Sequence, residues 1–280
     1  MSRNKILLAV FGVLLLIFIW KQFFSSDQTR NIKEVLVELD TALVTKIAIT
    51  PKAGNNKELT LIRTGAQWEA SDGAIKDEAD ANTVRGMLSS LVSIKPMRLV
   101  AKSDKKWEQY EVNDSLGTKV KVYADDKLLA NFVVGKFNFQ QNTRSMSTFV
   151  RLAEEEDVYS VEGFLSSTFN QKFSNLRDKT FIDVKKADLT SVKFEYPADS
   201  SFALTKIGDT WEVNGVQADS VAVQTFLNGI QNLTMRDFND SFSATGQLAS
   251  YQVTLEGNNM ETVVVSGFGE AANLTLHSSR

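Results

Sequence analysis

The apolar positions of the chain follow two spacings, and each spacing predicts a different kind of element. Apolar and polar side chains alternate over residues 44–50 and again over residues 59–63, which is typical of half-buried β-strands. Further along, apolar residues recur three and four positions apart, which predicts a helix with one apolar face. This helical set is Val84, Met87, Leu88 and Leu91.

The same order of elements occurs twice along the chain. The stretch QWEASDGAIKDEADANTV at residues 67–84 resembles TWEVNGVQADSVAV at residues 210–223, because both run from Trp-Glu through a glycine turn to Ala-Asp and a helical pattern. Upstream, residues 36–50 align without a gap with residues 181–195. Several matched blocks in one order indicate a duplication, and its unit is longer than the repeats of about 20–50 residues that build solenoids.

Each copy predicts an α+β fold in which strands of an antiparallel sheet precede and follow one amphipathic helix. Asp80 and Asp219 stand where the helix N-caps are expected, because a carboxylate there can accept hydrogen bonds from the first free amides. Asn214-Gly215 is a strong turn pair, since both residue types tolerate positive φ. The copies therefore read as two tandem domains of one fold.

The first copy carries an addition. Residues 148–161 predict a hairpin with an acidic turn, and residues 162–176 predict a second amphipathic helix. The apolar positions of that helix are Phe164, Leu165, Phe169, Phe173 and Leu176. The second copy stops at Arg280, inside the hairpin that would match, so the second domain is either naturally minimal or part of a longer chain.

The N-terminal segment predicts a membrane anchor. An unbroken apolar run begins at Ile6 and reaches Trp20, and a helix that continues to Phe24 would be about 28 Å long. That length nearly matches a hydrocarbon core of about 30 Å. The alternatives are a cleavable signal peptide and a buried helix of the folded domain. Cleavage requires a small residue three positions before the cut, where the bulky Phe23 or Phe24 stands, so the sequence favours an uncleaved anchor.

The anchor sets the predicted topology and domain organisation. Arg3 and Lys5 place the N-terminus in the cytoplasm, and the rest of the chain then lies on the periplasmic side of a bacterial inner membrane, reached by a single span. The predicted segments are the N-terminus with its anchor at 1–24, a juxtamembrane linker at 25–35, the first repeat at 36–180 and the shorter second repeat at 181–280.

Charge and composition exclude several function classes. The formal net charge is −3, so the chain has no general basic surface for the phosphate backbone, and no nucleic-acid partner is expected. It has no cysteine, which excludes disulfides, thiolate metal sites and thiol catalysis. A single span forms no channel or transporter by itself.

No combination of residues predicts catalysis, a cofactor or a metal ion. The sole histidine, His277, lies near the end of the chain in a tail that reads as exposed, and no Gly-x-Ser-x-Gly motif accompanies it. The carboxylates at residues 154–157 are consecutive, whereas a calcium loop spaces its oxygens at alternating positions. Gly135-Lys136 lacks the remainder of a phosphate-binding loop.

The remaining acidic candidates have structural interpretations. Asp125 and Asp126 read as the tip of a hairpin. Glu69 and Glu212 each follow a repeated tryptophan, and neighbouring strand side chains point to opposite faces, so both are expected to face solvent.

The tryptophans separate into a core pair and a candidate binding pair. Trp68 and Trp211 occupy matched strand positions, which predicts core packing over stacking on a ligand. Trp107 and Tyr110 fall outside the core pattern. If exposed in a groove, they would support a binding module for a glycan or a peptide.

Most of the chain after about residue 34 resembles a bacterial family. The segments WEQYEVNDSLGTKVKVYADDKLLANFVVGK, STFVRLAEEEDVYSV and FNQKFSNLRDKTFIDVKKADLTSVKF are similar to the domain-of-unknown-function 4340 family in the order of their motifs. The matching positions are Tyr110, Val112, Asp114, Gly135, Lys136, Phe149, Val150, Arg151, Val158, Tyr159, Leu176, Arg177, Asp178 and Lys179.

This resemblance implies an N-terminal membrane anchor and a body outside the cytoplasm. It also implies a role beside the ATPase and permease of an ABC transporter, similar to auxiliary proteins of gliding-motility-type ABC systems. It supplies no catalytic residues. The leading functional hypothesis is therefore a membrane-anchored periplasmic accessory or scaffold component of an ABC-type transport system without catalysis of its own. The alternative is the periplasmic glycan- or peptide-binding module, and an enzyme is a third, weaker hypothesis.

Overall fold

The computed structural model describes residues 32–142, 144–198 and 200–280, together with Leu15. The predicted anchor at residues 6–24 lies outside this part of the chain apart from Leu15. Among the residues that are described, no helix has both the length and the apolar character needed to cross a bilayer. The chain divides into two compact units between Asp178 and Lys179, whereas the sequence placed the domain boundary between residues 180 and 181.

Unit 1 is built on an antiparallel sheet with few helices. Its strands are β1 (Val37–Glu38), β2 (Lys46–Thr50), β3 (Leu59–Thr64), β4 (Gln67–Ser71), β5 (Lys76–Glu78), β6 (Ser93–Ile94), β7 (Pro96–Ala101), β8 (Thr118–Ala124), β9 (Lys127–Gln140), β10 (Ser145–Leu152) and β11 (Val158–Glu162). From Ile32 onward its α-helices are α1 (Ala81–Leu91), α2 (Trp107–Tyr110), α3 (Leu165–Phe169) and α4 (Phe173–Leu176). Short 3-10 turns occupy Thr41–Leu43, Lys52–Gly54 and Asp104–Lys106.

The main sheet of unit 1 has the strand order β5-β4-β3-β2-β8-β9-β10-β11-β7, and β1 pairs with β6 in a separate ladder. Side chains alternate across it, so each strand serves two faces. On β9, Phe132 and Val134 belong to the large core under α1, α3 and α4, while Val133 between them belongs to a smaller core on the opposite face. Both faces of this sheet are therefore covered around β9.

Unit 2 repeats the topology in shorter form. Its strands are β12 (Thr180–Asp183), β13 (Leu189–Glu195), β14 (Phe202–Ile207), β15 (Thr210–Val213), β16 (Val216–Gln217), β17 (Asn232–Thr234), β18 (Tyr251–Gly257), β19 (Val263–Phe268) and β20 (Thr275–Ser278), with one α-helix, α5 (Ser220–Ile230), in its described part. The sheet order β16-β15-β14-β13-β18-β19-β20 corresponds strand by strand to the order β5-β4-β3-β2-β8-β9-β10 in unit 1. In addition, β12 pairs with β17 as β1 pairs with β6. The shared strand order supports the duplication that the sequence indicates.

The two main helices form where the sequence places them, for the same local reason. The Asp80 carboxylate accepts a hydrogen bond from the Thr83 amide at 2.7 Å and caps α1. Asp219 caps α5 by accepting from the Val221 amide at 2.8 Å and the Ala222 amide at 3.0 Å. Each cap satisfies amides that have no partner inside the helix.

The apolar stripe of each helix then packs on its sheet. The buried positions are Val84, Met87 and Leu91 in α1 and Val223 and Leu227 in α5. The strands β15 and β16 of unit 2 are joined by a two-residue turn, Asn214-Gly215, whose φ values are 51° and 83°.

The predicted second amphipathic helix at residues 162–176 is wrong as one element. The structure has α3 and α4 as two short helices, separated at Asn170. The Asn170 side chain accepts a hydrogen bond from the Ala53 amide at 2.8 Å, and a tertiary contact thus replaces continued helix. Phe164, expected on the apolar face, is an exposed residue before α3 whose ring stacks on Phe137 at 5.4 Å.

We expect Asp80→Ala to lower the free energy of unfolding by about 1 kcal/mol, because the first turn of α1 loses its side-chain acceptor. Urea unfolding followed by tryptophan fluorescence measures the change. Asp126→Ala, at the exposed tip of the β8–β9 hairpin, is the matched control and is expected within about 0.5 kcal/mol of the wild type. Equal effects of the two substitutions would contradict the capping role.

Candidate functional site

A buried guanidinium organises the smaller core of unit 1. Arg151 lies on β10 and is 3% exposed. Its Nε donates to the Val112 carbonyl at 3.1 Å. Its Nη1 approaches three further carbonyl oxygens, those of Leu152 at 3.3 Å, Ala153 at 2.9 Å and Glu155 at 3.3 Å. A buried charge is costly unless such partners replace water, so these carbonyls are what makes the position tolerable.

Trp107 covers the same guanidinium. The Arg151 Cζ lies 3.8 Å from the centroid of the Trp107 ring, which is a cation–π contact. The indole Nε1 donates to the Glu156 carbonyl at 2.9 Å. Arg151 and Trp107 therefore both donate hydrogen bonds to backbone carbonyls of the acidic turn between β10 and β11.

Burial shifts the pKa values of two groups in this region, Arg151 and Tyr159. Desolvation lowers the pKa of Arg151 from its ordinary value, opposed by the charges of Asp114 and Glu154, and an arginine remains protonated in proteins even so. Burial raises the pKa of Tyr159 to about 12, and the neighbouring Asp157 carboxylate adds to that shift. Neither group is therefore suited to exchange protons near neutral pH.

Gly135 permits the close approach on which this cluster depends. A Cβ at this position would lie 2.2 Å from the Tyr110 carbonyl oxygen and 2.7 Å from Cγ1 of Val112. The segment that carries α2 thus rests directly on the β9 backbone. The Tyr110 ring packs on Phe149 with its centroid 4.6 Å away.

We call the set formed by Trp107, Tyr110, Val112, Gly135 and Arg151 the Arg151 cluster. Four of its members, all but Trp107, are among the family-motif positions, and the structure brings them together from three separate stretches of chain. The contacts of the cluster are made to the protein itself. The cluster is therefore an internal support of the fold.

The Leu-Arg-Asp-Lys motif forms a second support. The buried Arg177 pairs through Nη2 with the Asp77 carboxylate at 2.7 Å, and it forms a bridge with Ala79 beyond the end of β5. The Asp80 amide donates to the Leu176 carbonyl at 2.8 Å, and the Asp178 amide donates to the Glu78 carbonyl at 2.8 Å. These bonds fasten the end of α4 over the groove between α1 and the sheet.

In unit 2 the corresponding groove, between α5 and the sheet, is open. It is a cavity of about 410 Å³ with an almost wholly apolar lining. Phe194 stacks on Phe202 with centroids 4.4 Å apart and packs on Phe226 at 5.6 Å. Phe202 and Phe226 remain partly exposed, and Ala222 on the rim is exposed. We call it the unit 2 groove, and its volume and apolar lining fall in the range of ligand-binding pockets.

The acidic candidates lie in two turns and on two strands. Residues 154–157 form the turn between β10 and β11, and their backbone carbonyls serve Arg151 and Trp107. Asp125 and Asp126 form the two-residue tip between β8 and β9. Glu69 pairs with Lys76 at 3.0 Å on neighbouring strands, and Glu212 is half-buried on β15. No group of three side chains suited to a metal ion occurs in the described ranges.

The histidine and the aromatic candidates need two corrections. His277 is exposed, as expected, but it stands on β20 opposite Ser266 and not in a tail. Trp107 and Tyr110 were expected outside the core pattern, whereas both are half-buried and pack against the smaller core of unit 1. Their polar atoms point to backbone carbonyls, since the Tyr110 hydroxyl donates to Val100 at 3.4 Å. Both rings are thus engaged inside the fold.

The repeated tryptophans pack as predicted. Trp211 is buried in the core of unit 2, and Trp68 is half-buried against the core of unit 1. Sequence reasoning missed the role of Arg151 and the open groove. A charged residue inside the apolar run STFVRL was the available signal for Arg151, and the phenylalanines that replace Ile49, Leu59 and Met87 in the second copy were the signal for the groove.

We expect Arg151→Lys to lower the free energy of unfolding by at least about 2 kcal/mol, because an ammonium cannot reach all the carbonyls or cover the Trp107 ring. Urea unfolding measures the change, and red-shifted tryptophan emission reports the loosened ring. Arg85→Lys on the exposed face of α1 is the matched control. An unfolding midpoint that moves equally in both variants would refute the supporting role.

Gly135→Ala is expected to destabilise the protein by roughly 1–3 kcal/mol, since the added methyl meets backbone at Tyr110. Gly86→Ala adds the same methyl inside α1, where nothing lies within 4 Å, and is expected to stabilise by about 0.5–1 kcal/mol. Thermal melting of both variants shows whether each substitution lowers or raises the melting temperature. Melting temperatures that move in the same direction in both variants would contradict the close approach of the Tyr110 backbone to Gly135.

The comparisons with known proteins bear on the family alone. No curated protein and no solved structure matches the chain. The family model described as Domain of unknown function (DUF4340) matches residues 72–254, which is more than half of the chain and includes the Arg151 cluster. The expected similarity to gliding-motility auxiliary proteins is not confirmed and stays a prediction. From the extent of this match and the motif positions that lie within it, the chain belongs to the DUF4340 family.

Proposed function

We propose that the protein is a membrane-anchored accessory or assembly component of a bacterial ABC-type transport system, acting by binding and not by catalysis. The observation that carries the binding role is the contrast between its two candidate surfaces. In unit 1 the two arginines of the family motif are engaged within the fold, since Arg151 has four carbonyl partners and Arg177 pairs with Asp77. In unit 2 an apolar groove stays open to partners.

The location and the transport partner have separate support. The apolar run from Ile6 and the basic residues before it favour an inner-membrane anchor with units 1 and 2 on the periplasmic side. The link to a permease and an ATPase comes from the resemblance to the family. We therefore place the protein beside an ABC transporter at the periplasmic surface.

The alternative function, a periplasmic binding module, has two versions, one for a glycan and one for a peptide, and the aromatic residues support them unequally. A glycan site would need exposed rings, and the ring of Trp107 is covered by Arg151 while that of Tyr110 packs on Phe149. A peptide site is favoured by the unit 2 groove, whose apolar walls suit side chains better than sugar hydroxyls. Peptide binding is compatible with the accessory role.

The test is crosslinking of the full chain in intact bacterial cells, followed by affinity purification and mass spectrometry. We expect an ABC permease or ATPase subunit to be enriched over a control in which residues 1–31 are exchanged for a cleavable signal sequence. Protease added to spheroplasts is expected to digest units 1 and 2, which the intact outer membrane otherwise protects. Recovery of no transporter subunit would overturn the transport role, and a protein in the soluble fraction would overturn the anchor.

A further inference from the structure

Several exposed apolar side chains of unit 1 gather at one end of its sheet. Past Val134, which is opposite the first residue of β8, strand β9 pairs with β10 alone. On the other side of β10, strand β11 ends at Glu162, opposite Ser147. The tip of the β9–β10 hairpin therefore extends beyond both neighbouring strands.

Five large apolar side chains form a continuous surface there, which we call the hairpin patch. Phe139 is opposite Met146 in the ladder, and Phe137 lies two residues earlier on the same face. The Phe137 ring stacks on Phe164 at 5.4 Å, and Phe164 lines a cavity together with Met97. Each of the five is between 39% and 53% exposed.

Basic side chains accompany the hairpin patch. The stretches of chain that carry it, residues 93–101, 134–148 and 158–168, contain four basic residues and one acid, Glu162. The basic residues are exposed, and none of them has an ion pair in the described part of the chain. They are Lys95, Arg98, Lys136 and Arg144. This end of unit 1 is thus cationic, although the chain as a whole has a net charge of −3.

We propose that the β9–β10 hairpin of unit 1 docks on the surface of an anionic phospholipid bilayer. The Phe and Met side chains of the hairpin patch enter the interface between headgroups and acyl chains, and the four basic side chains lie among the headgroup phosphates. Apolar contact and charge act together, because interfacial binding strengthens with both the buried apolar area and the attraction to anionic lipid.

The predicted anchor brings such a bilayer within reach, and this step rests on the proposed function. Lys33 pairs with Glu155 at the end of β10 that lies away from the hairpin tip. From Phe24, the end of the anchor, to Lys33 the chain spans at most about 30 Å. The 8 residues of β10 are about 27 Å long. Unit 1 can therefore turn its hairpin towards the bilayer that holds the anchor.

A bilayer suits the hairpin patch better than a second protein surface does. At 39–53% exposure, five side chains of about 200 Å² each offer roughly 450 Å² of contact. A stable interface between proteins takes about 800 Å² from each partner. The patch also stands on a protruding tip, which a bilayer receives without a matching concave surface.

The experiment uses the full chain reconstituted in liposomes and exploits the absence of native cysteine. Gln141→Cys carries an environment-sensitive fluorophore at the hairpin tip, and Asp126→Cys carries the same fluorophore at the exposed β8–β9 tip. In liposomes that contain phosphatidylglycerol, we expect a blue shift and quenching by spin-labelled lipid at position 141. Position 126 lies at the opposite end of β9 and is expected to show neither.

Two pairs of variants in the Gln141→Cys background separate the apolar from the electrostatic contribution. Phe139→Ser is expected to lower lipid quenching at least about twofold, whereas Leu128→Ser, a similarly exposed apolar position at the other end of β9, is expected to leave it unchanged. Lys136→Gln is expected to weaken the dependence on phosphatidylglycerol, and Lys127→Gln is not. Circular dichroism melts check that a lost signal is not unfolding.

Two results with the labelled chain count against lipid docking. One is quenching at position 141 that is no stronger than at position 126, or that is the same in pure phosphatidylcholine. The other is a blue shift at position 141 without lipid quenching, which would assign the hairpin patch to a protein surface such as a second copy of the chain.

An alkaline carbonate wash of the liposomes tests the anchor separately. Protein that withstands the wash but has an unquenched hairpin tip would remove this inference alone. A quenched tip on protein that the wash releases would remove the anchor of the proposed function alone.

Discussion

The apolar face of an antiparallel sheet must be covered from water. In unit 1 one long helix and two short helices cover it, and in the described part of unit 2 one helix does. One amphipathic helix, capped by Asp80 or Asp219, covers the middle of each sheet. One helix is about 10 Å wide and strands lie about 4.8 Å apart, so a single helix covers about two strands of each sheet and leaves a groove beside it. Residues 164–178 close that groove in unit 1, and in unit 2 it remains open.

The second face of the unit 1 sheet shows how a family motif can be a folding device. Arg151 sits where a strand would normally bury an apolar side chain, and its charge is tolerated because backbone carbonyls and the Trp107 ring surround it. Gly135 lets the α2 segment come close enough to supply one of those carbonyls. The motif residues therefore depend on one another, which gives a physical reason for their occurrence together.

Much of the fold was predictable because local rules govern it. Strand alternation, the Asp caps and the Asn214-Gly215 turn act within a few residues, and each appears where the sequence placed it. The prediction was wrong at residues 162–176, where Asn170 bonds to a distant amide and divides the helix. It was also wrong for Trp107 and Tyr110, whose partners come from strands far along the chain. Both errors concern contacts that periodicity does not encode.

The sequence by itself determined the duplication, the antiparallel α+β character and the family, because these follow from patterns that recur in order along the chain. Only the tertiary structure decided which surfaces are used inside the protein and which stay open. Arg151 and Phe226 illustrate the difference, since the sequence suggests an exposed charge and a buried ring. The fold buries the first completely and leaves the second partly exposed. Burial depends on what packs against a residue from elsewhere in the chain, and that information exists only once the chain has folded.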